Sequence, residues 1–195
     1  MRVTSGIFRG RTLGTPDDMR VRPTGDKVRQ AIFNILAHRD FANGFALDDA
    51  AVIDLFAGTG ALGIEALSRG ARFCLFVDDD ADSRALQRRN VEALGLTGAT
   101  KIWRRDATDL GPRNTGSGGP FHLAFLDPPY RKGLAEKCLA SLNAGGWLAA
   151  NAVAVVETAI DETLAAPGFE KLDERDYGET RVTLLILDAP IAPQP

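Results

Sequence analysis

The chain has 195 residues, 45% of them hydrophobic and 25% charged. That is enough for one globular domain with a real core, and it excludes wholesale disorder, collagen-like repeats and a disulfide-rich miniprotein. The net charge of −3, from 23 Lys+Arg against 26 Asp+Glu, argues when taken whole against a nucleic-acid binder. The average conceals an asymmetry. Residues 1–39 carry eight basic and three acidic side chains, +5, which leaves 15 basic and 23 acidic, −8, for the rest. Cys74 and Cys138 lie in apolar segments 64 residues apart, the N-terminus shows no secretory apolar run, and no stretch reaches the ~20 apolar residues of a membrane span. Reduced thiols in a cytoplasmic, monomeric protein without a membrane partner are expected.

Arg2–Leu13 mixes β-branched and aromatic residues with glycines and arginines, as a short basic hairpin would. Pro16 and Pro23 bracket a loop, and Thr24 is expected to cap a helix whose apolar positions Val28, Ala31, Ile32, Ile35 and Leu36 share one stripe bordered by Arg22, Lys27 and Arg29. Asp40–Asp49 reads as a linker. From Ala51 the pattern becomes strand, loop, helix: strands at Ala51–Leu55, Arg72–Val77, Thr100–Arg104, Phe121–Leu126 and Ala152–Glu157, and helices at Ala61–Arg69, Ala81–Leu94 and Leu134–Leu142. Gly111–Pro120 is expected to be a loose connection. Alternation of this kind implies a mostly parallel sheet covered on both faces. Glu170–Arg175 and Arg181–Leu187, joined by the short link Asp176–Thr180, must instead be antiparallel neighbours. The expected class is therefore α/β, a Rossmann-like class I methyltransferase sheet with an antiparallel C-terminal hairpin and a basic N-terminal hairpin and helix extension.

Gly58-Thr59-Gly60-Ala61-Leu62-Gly63 follows a strand, opens a helix and precedes Asp78 by 20 residues, so a nicotinamide-binding reading is available. Asp54 at the strand's carboxyl end weighs against it, because a carboxylate would repel a pyrophosphate and suits a ligand with a cationic amine. Asp127-Pro128-Pro129-Tyr130 closes the fourth strand. Its prolines remove backbone donors, so the Pro128 carbonyl and the Asp127 carboxylate form two acceptors aimed at one point, as an exocyclic NH2 requires. Tyr130 supplies a face for a base to lie against. His38 and His122 are isolated and neither cysteine has a ligand-spaced partner, so no metal site is expected.

Val52–Gly60 is similar to the first motif of S-adenosylmethionine-dependent methyltransferases. Adding Ser5-Gly6, Arg9-Gly10-Arg11, Arg22-Pro23-Thr24, Asp26-Lys27-Val28-Arg29, Phe33-Asn34, Glu65–Gly70 and Asp127–Tyr130, the chain from about Arg2 to Leu187 resembles the RsmD family of small-subunit (16S) ribosomal RNA guanine-N2 methyltransferases. The resemblance implies S-adenosylmethionine as cofactor and S-adenosylhomocysteine as product, with no metal. Asp54, Phe56, Gly58, Gly60, Asp78 and Asp106 would hold the cofactor, Asp78 on the ribose and Asp106 at the adenine amino group. Asp127, Pro128, Pro129 and Tyr130 would form the catalytic pocket. Arg2, Arg9, Arg11, Arg20, Arg22, Lys27 and Arg29 would meet phosphates of small-subunit rRNA, in a ribosomal particle, with Arg22 and Thr24 alternatively closing over the cofactor. Asp78 stands where the family commonly has Glu.

The implied division is an RNA-facing extension at 1–45, a methyltransferase domain at 46–188 and a disordered tail at 189–195. A DNA adenine-N6 or cytosine-N4 methyltransferase could use the same amino-group pocket, but little chain is left for a DNA-reading domain. A protein glutamine methyltransferase would leave the basic N-terminus without a role. An RNA-binding scaffold without activity would not need acids at three separate strand ends.

Overall fold

In the computed structural model, residues 1–16, 25–39, 41 and 44–188 are described. The expected N-terminal cap Thr24, the cations Arg20 and Arg22, and the tail 189–195 lie outside them. Seven strands, β1 (Ala51–Leu55), β2 (Phe73–Val77), β3 (Thr100–Trp103), β4 (Phe121–Leu126), β5 (Leu148–Ala159), β6 (Phe169–Tyr177) and β7 (Thr180–Leu187), form one sheet in the order β3-β2-β1-β4-β5-β7-β6. The first five run parallel, whereas β7 lies antiparallel to both β5 and β6. This is the methyltransferase sheet expected from the closing hairpin. The connecting turn is tighter than the expected five-residue link: Tyr177 pairs with Thr180 across Gly178-Glu179, with Gly178 at φ 63°.

Helices α1 (Asp26–His38), α2 (Ala61–Ser68), α3 (Ala81–Ala93) and α4 (Leu134–Ala144) cover the sheet. Side chains alternate between faces along each strand, and two buried clusters result. On one face Val52, Phe125, Val155 and Val182 pack with residues of α1, α2 and α3; on the other Ile53, Ala124, Ala154 and Leu185 pack with α4 and Trp147. Trp147 is fully buried and meets Trp103 edge-on, a packing role for both indoles. Cys74 and Cys138 are free and buried, and burial pushes Cys138 up to about 12, so its thiol is unreactive near neutrality.

The N-terminal ribbon has one antiparallel bridge, Arg2 to Thr12, and its Val3 and Leu13 enter the first cluster. Its anchor is Glu65 of α2, a fully buried carboxylate. Glu65 accepts from Thr4 N at 2.8 Å, Thr4 Oγ1 at 2.7 Å, Ser5 N at 3.0 Å and Arg69 Nε at 2.8 Å. Ser68 adds a donor to the Ser5 carbonyl and acceptors for Ile7 N and Phe8 N. Gly6 lies so close that a Cβ there would sit 1.7 Å from the Ser68 carbonyl oxygen.

Two expectations about local order are corrected. α1 begins at Asp26 with Gly25 as its N-cap and no side-chain cap bond. The Gly111–Pro120 connection is pinned rather than loose: Arg113 donates from Nε to the Gly146 carbonyl and from Nη1 to that of Gly119, both at 3.0 Å, and Ser117 is buried. Among the described residues no helix is long and apolar enough to cross a membrane.

Candidate active site

Sheet order reverses between β1 and β4, and in an open α/β sheet the crevice outside the strands' carboxyl ends at that point is the place for a ligand. A cavity of about 570 Å3 opens there. Asp54, Phe56, Gly58, Asp78, Asp127, Pro128, Pro129 and Tyr130 all line it, so most of the expected cofactor and catalytic residues, drawn from three strand ends, converge on one space.

The loop after β1 is held open by its neighbours. Phe56 and Gly58 take φ of 56° and 52°; for Phe56 that left-handed conformation is strained and survives because the surroundings impose it. Gln87 Nε2 of α3 donates to the Gly58 carbonyl at 3.0 Å and Asn90 Nδ2 to the Thr59 carbonyl at 2.9 Å. These buried amides, three apart on one helix face, were not singled out from the sequence. The signal was there: two amides three apart on a helix whose other polar positions are mostly charged.

Asp54 is buried, and Oδ2 accepts from Gly63 N at 2.9 Å. Desolvation holds its carboxyl well above the usual aspartate range against that bond, and the negative charges of Asp127 and Asp78 push the same way. Burial also raises Asp78, although its oxygens accept from Gly58 N at 2.8 Å and Asp80 N at 2.9 Å. A carboxylate has about four lone-pair sites, so Asp78, fixed at the cavity wall by two backbone donors, retains capacity for two hydroxyls. Three acids that repel one another around one space form a cradle suited to a cationic ligand. Asp80 caps α3 by accepting from Ser83 N at 2.7 Å, and both it and Asp79 border the cavity.

Asp127 follows Leu126, which pairs with Leu55 of β1 on one side and Val156 of β5 on the other. Pro128 is buried and Pro129 exposed. The Tyr130 hydroxyl shares a 3.1 Å hydrogen bond with Thr180 Oγ1 of β7, which fixes the ring over the cavity. Glu157, Tyr177 and Thr180 also line the space, as do Gly25 and Val28 at the start of α1. None of these five was singled out as a site residue from the sequence.

Other expected residues lie elsewhere. Gly60, at φ 77°, turns the chain into α2 and does not line the cavity. Asp106 is exposed, accepts from Thr108 N and Oγ1 at 2.8 and 2.7 Å, and is absent from the lining. Arg2, Arg9, Arg11 and Lys27 are exposed, as phosphate contacts must be. Arg29 is not: it is fully buried, donates to the Arg2 carbonyl and to Asp26 Oδ1 at 2.9 Å, and lies 3.6 Å from Glu65 Oε2. The helix turns Arg29 inward to join the ribbon's anchor, which corrects its assignment to RNA. Among the described residues no group of three or more His, Cys, Asp or Glu could hold a metal ion.

Comparison with known proteins places this geometry. Residues 1–186 match the family described as "Conserved hypothetical protein 95". The chain is 35% identical over 164 residues to "Ribosomal RNA small subunit methyltransferase D" of Escherichia coli (strain K12), covering 84% of this chain and 77% of the relative. It is 41% identical over 136 residues to "Putative rRNA methyltransferase YlbH" of Bacillus subtilis, covering 68% of each. The solved structure of "Putative methyltransferase yhhF from Escherichia coli" superposes with a TM-score of 0.79 at 30% identity, covering 97% of this chain and 98% of that one.

Proposed function

Because the chain belongs to the RsmD family, that of conserved hypothetical protein 95, we propose that it transfers a methyl group from S-adenosylmethionine to the exocyclic N2 amino group of a guanine in small-subunit (16S) rRNA, in the cytoplasm and within a ribosomal particle. The observation that carries this reading is the convergence of Asp54, Asp78 and the Asp127–Tyr130 turn on one cavity. The name of the Escherichia coli relative supports the RNA class.

The cavity suits this cofactor by its chemistry. Asp54, buried among other acids, gains a counter-charge from a cationic amino-acid end, and Asp78 has acceptor capacity for a ribose diol. Bound, S-adenosylmethionine supplies an activated methyl on a cationic sulfur. The remaining work falls to the chain. The guanine N2 lone pair is delocalised into the ring and becomes nucleophilic only as the amino group pyramidalises. Asp127 and the Pro128 carbonyl, accepting its two N–H bonds, favour that geometry and stabilise the positive charge that develops on nitrogen. Tyr130, steadied by Thr180, holds the base flat. A base must leave its stack to enter such a pocket, which an RNA loop allows most easily.

Small-subunit rRNA made by transcription, and small subunits reconstituted from it, incubated with methyl-labelled cofactor should yield N2-methylguanosine after digestion. Label in N6-methyladenosine, N4-methylcytosine or protein would overturn the reading.

A further inference from the structure

The cavity is also lined by a buried carboxylate that the proposed chemistry does not use. Glu157 is 3% exposed yet lines the cavity near the carboxyl end of β5. Alternation places it: Val153 and Val155 belong to the cluster on the face of α1–α3, and Ala154 and Val156 to the opposite one, so Glu157 points to the α1–α3 face. Asp54 shares that face by the same count on β1, where Val52 packs on it and Ile53 and Leu55 do not. Leu126, the last residue of β4, pairs with Val156, so Glu157 lies one step past that pair on β5 as Asp127 lies one step past the end of β4. On β7 Glu157 pairs with Val182, and Thr180, which shares a hydrogen bond with Tyr130, pairs with Ala159 two residues further along β5.

We propose that Glu157 is the base-reading residue of the pocket: its carboxylate accepts the guanine N1–H, the donor beside the N2 amino group. This rests on the guanine-N2 reading above and supplies its selectivity. Guanine alone presents an N–H donor next to its exocyclic amine on the Watson–Crick edge; adenine presents N1 and cytosine N3, both acceptors, in the corresponding place. An ionised carboxylate only accepts. Against guanine it forms a charge-assisted bond, whereas against adenine or cytosine two acceptors face each other in a buried pocket and neither is satisfied. The amine-holding turn cannot make this distinction, because all three bases carry the amine it grips.

The test uses the full chain, transcribed small-subunit rRNA and reconstituted particles, with three readouts: the methylated nucleoside, kcat/KM for RNA, and the cofactor Kd by calorimetry. Glu157→Gln should lower kcat/KM for guanine methylation about 10–100-fold, the worth of a charge-assisted hydrogen bond. Cofactor Kd should stay within threefold, and Glu157→Asp, one methylene shorter, should recover part of the loss. Wild-type protein making N2-methylguanosine while Glu157→Gln matches it within threefold would overturn the proposal and leave the guanine reading standing. A wild-type product other than N2-methylguanosine would remove the reading itself. Should the variants lose cofactor binding through misfolding, the wild-type protein decides alone. With the mapped guanine replaced by 2-aminopurine, which keeps the amine and lacks the N1–H, methylation should fall at least tenfold, and an unchanged rate overturns the proposal.

Discussion

Asp54 carries the clearest signature of a site built for a cation. Its carboxyl is raised by burial first and by Asp127 and Asp78 second, so the ligand-free native state retains a proton that the unfolded chain, titrating near 3.8, has released. Stability contributed by that proton is present at low pH and is lost as pH rises from about 4 through the raised native value. Asp78 shifts the same way. A cationic cofactor binds the ionised form, so its affinity should rise over the same window. Calorimetric titrations across pH, with Asp54→Asn as control, check this: the variant should unfold at neutral pH no more easily than wild type while binding the cofactor about 10–100-fold more weakly. Tyr130→Ala should raise KM for RNA by about 5–150-fold, the value of base–aromatic stacking, whereas Tyr130→Phe, which keeps the ring and gives up the hydroxyl's bond to Thr180, should cost far less. Asp54, Asp78 and Asp127 were legible in the sequence because each closes a strand recognisable by its apolar run. Arg29 was misread because composition marks a cation without marking the direction its helix turns it. Glu157 was invisible for a similar reason: it reads as the polar end of a strand until β7 and β4 enclose it.

At the scale of elements, the ribbon, α1 and α2 are joined through Glu65, whose carboxylate gathers the Thr4 and Ser5 amides, the Thr4 hydroxyl and two arginines. Glu65→Ala removes the buried carboxylate that Arg29 shares with Arg69 and the Thr4 and Ser5 amides, leaving Arg29 its bond to the half-exposed Asp26, and removing one side of a buried ion pair costs about 3–5 kcal/mol. The expected result is a loss of that size in denaturant unfolding, with residues 1–16 becoming sensitive to protease in the folded protein; stability within 0.5 kcal/mol of wild type would refute the anchor. Helix and strand order was legible from alternating apolar patterns. Boundaries were less so where neighbours decide them. β5 begins four residues earlier than its apolar run suggests, through Asn151 at φ 59° and an irregular register against β4. The insertion of β7 between β5 and β6 is a tertiary choice that the short hairpin link permits without dictating.

Over the whole molecule, the charge asymmetry becomes a spatial one. Arg2, Arg9, Arg11 and Lys27 are exposed on the N-terminal segment, while Asp54, Asp78, Asp79, Asp80, Asp127 and Glu157 of the body line the cavity. If those four cations meet phosphates, log affinity for single-stranded rRNA should fall against log salt with a slope of about −3, and substituting Arg9 and Arg11 by alanine should make the slope shallower by about 1.4. A slope unaffected by the substitutions would remove the segment from RNA binding. The cavity straddles the point where sheet order reverses, with Asp54 and Asp78 on the β1 and β2 side and Asp127 on the β4 side; in the proposed function the first two serve the cofactor and the third the amine. Measuring Asp127→Ala for cofactor Kd and for single-turnover methyl transfer to small-subunit rRNA tests that division most directly. A Kd within a few-fold of wild type and transfer slowed about 10²–10³-fold are expected; transfer at the wild-type rate, or a loss accounted for entirely by weaker cofactor binding, would remove Asp127 from the chemistry.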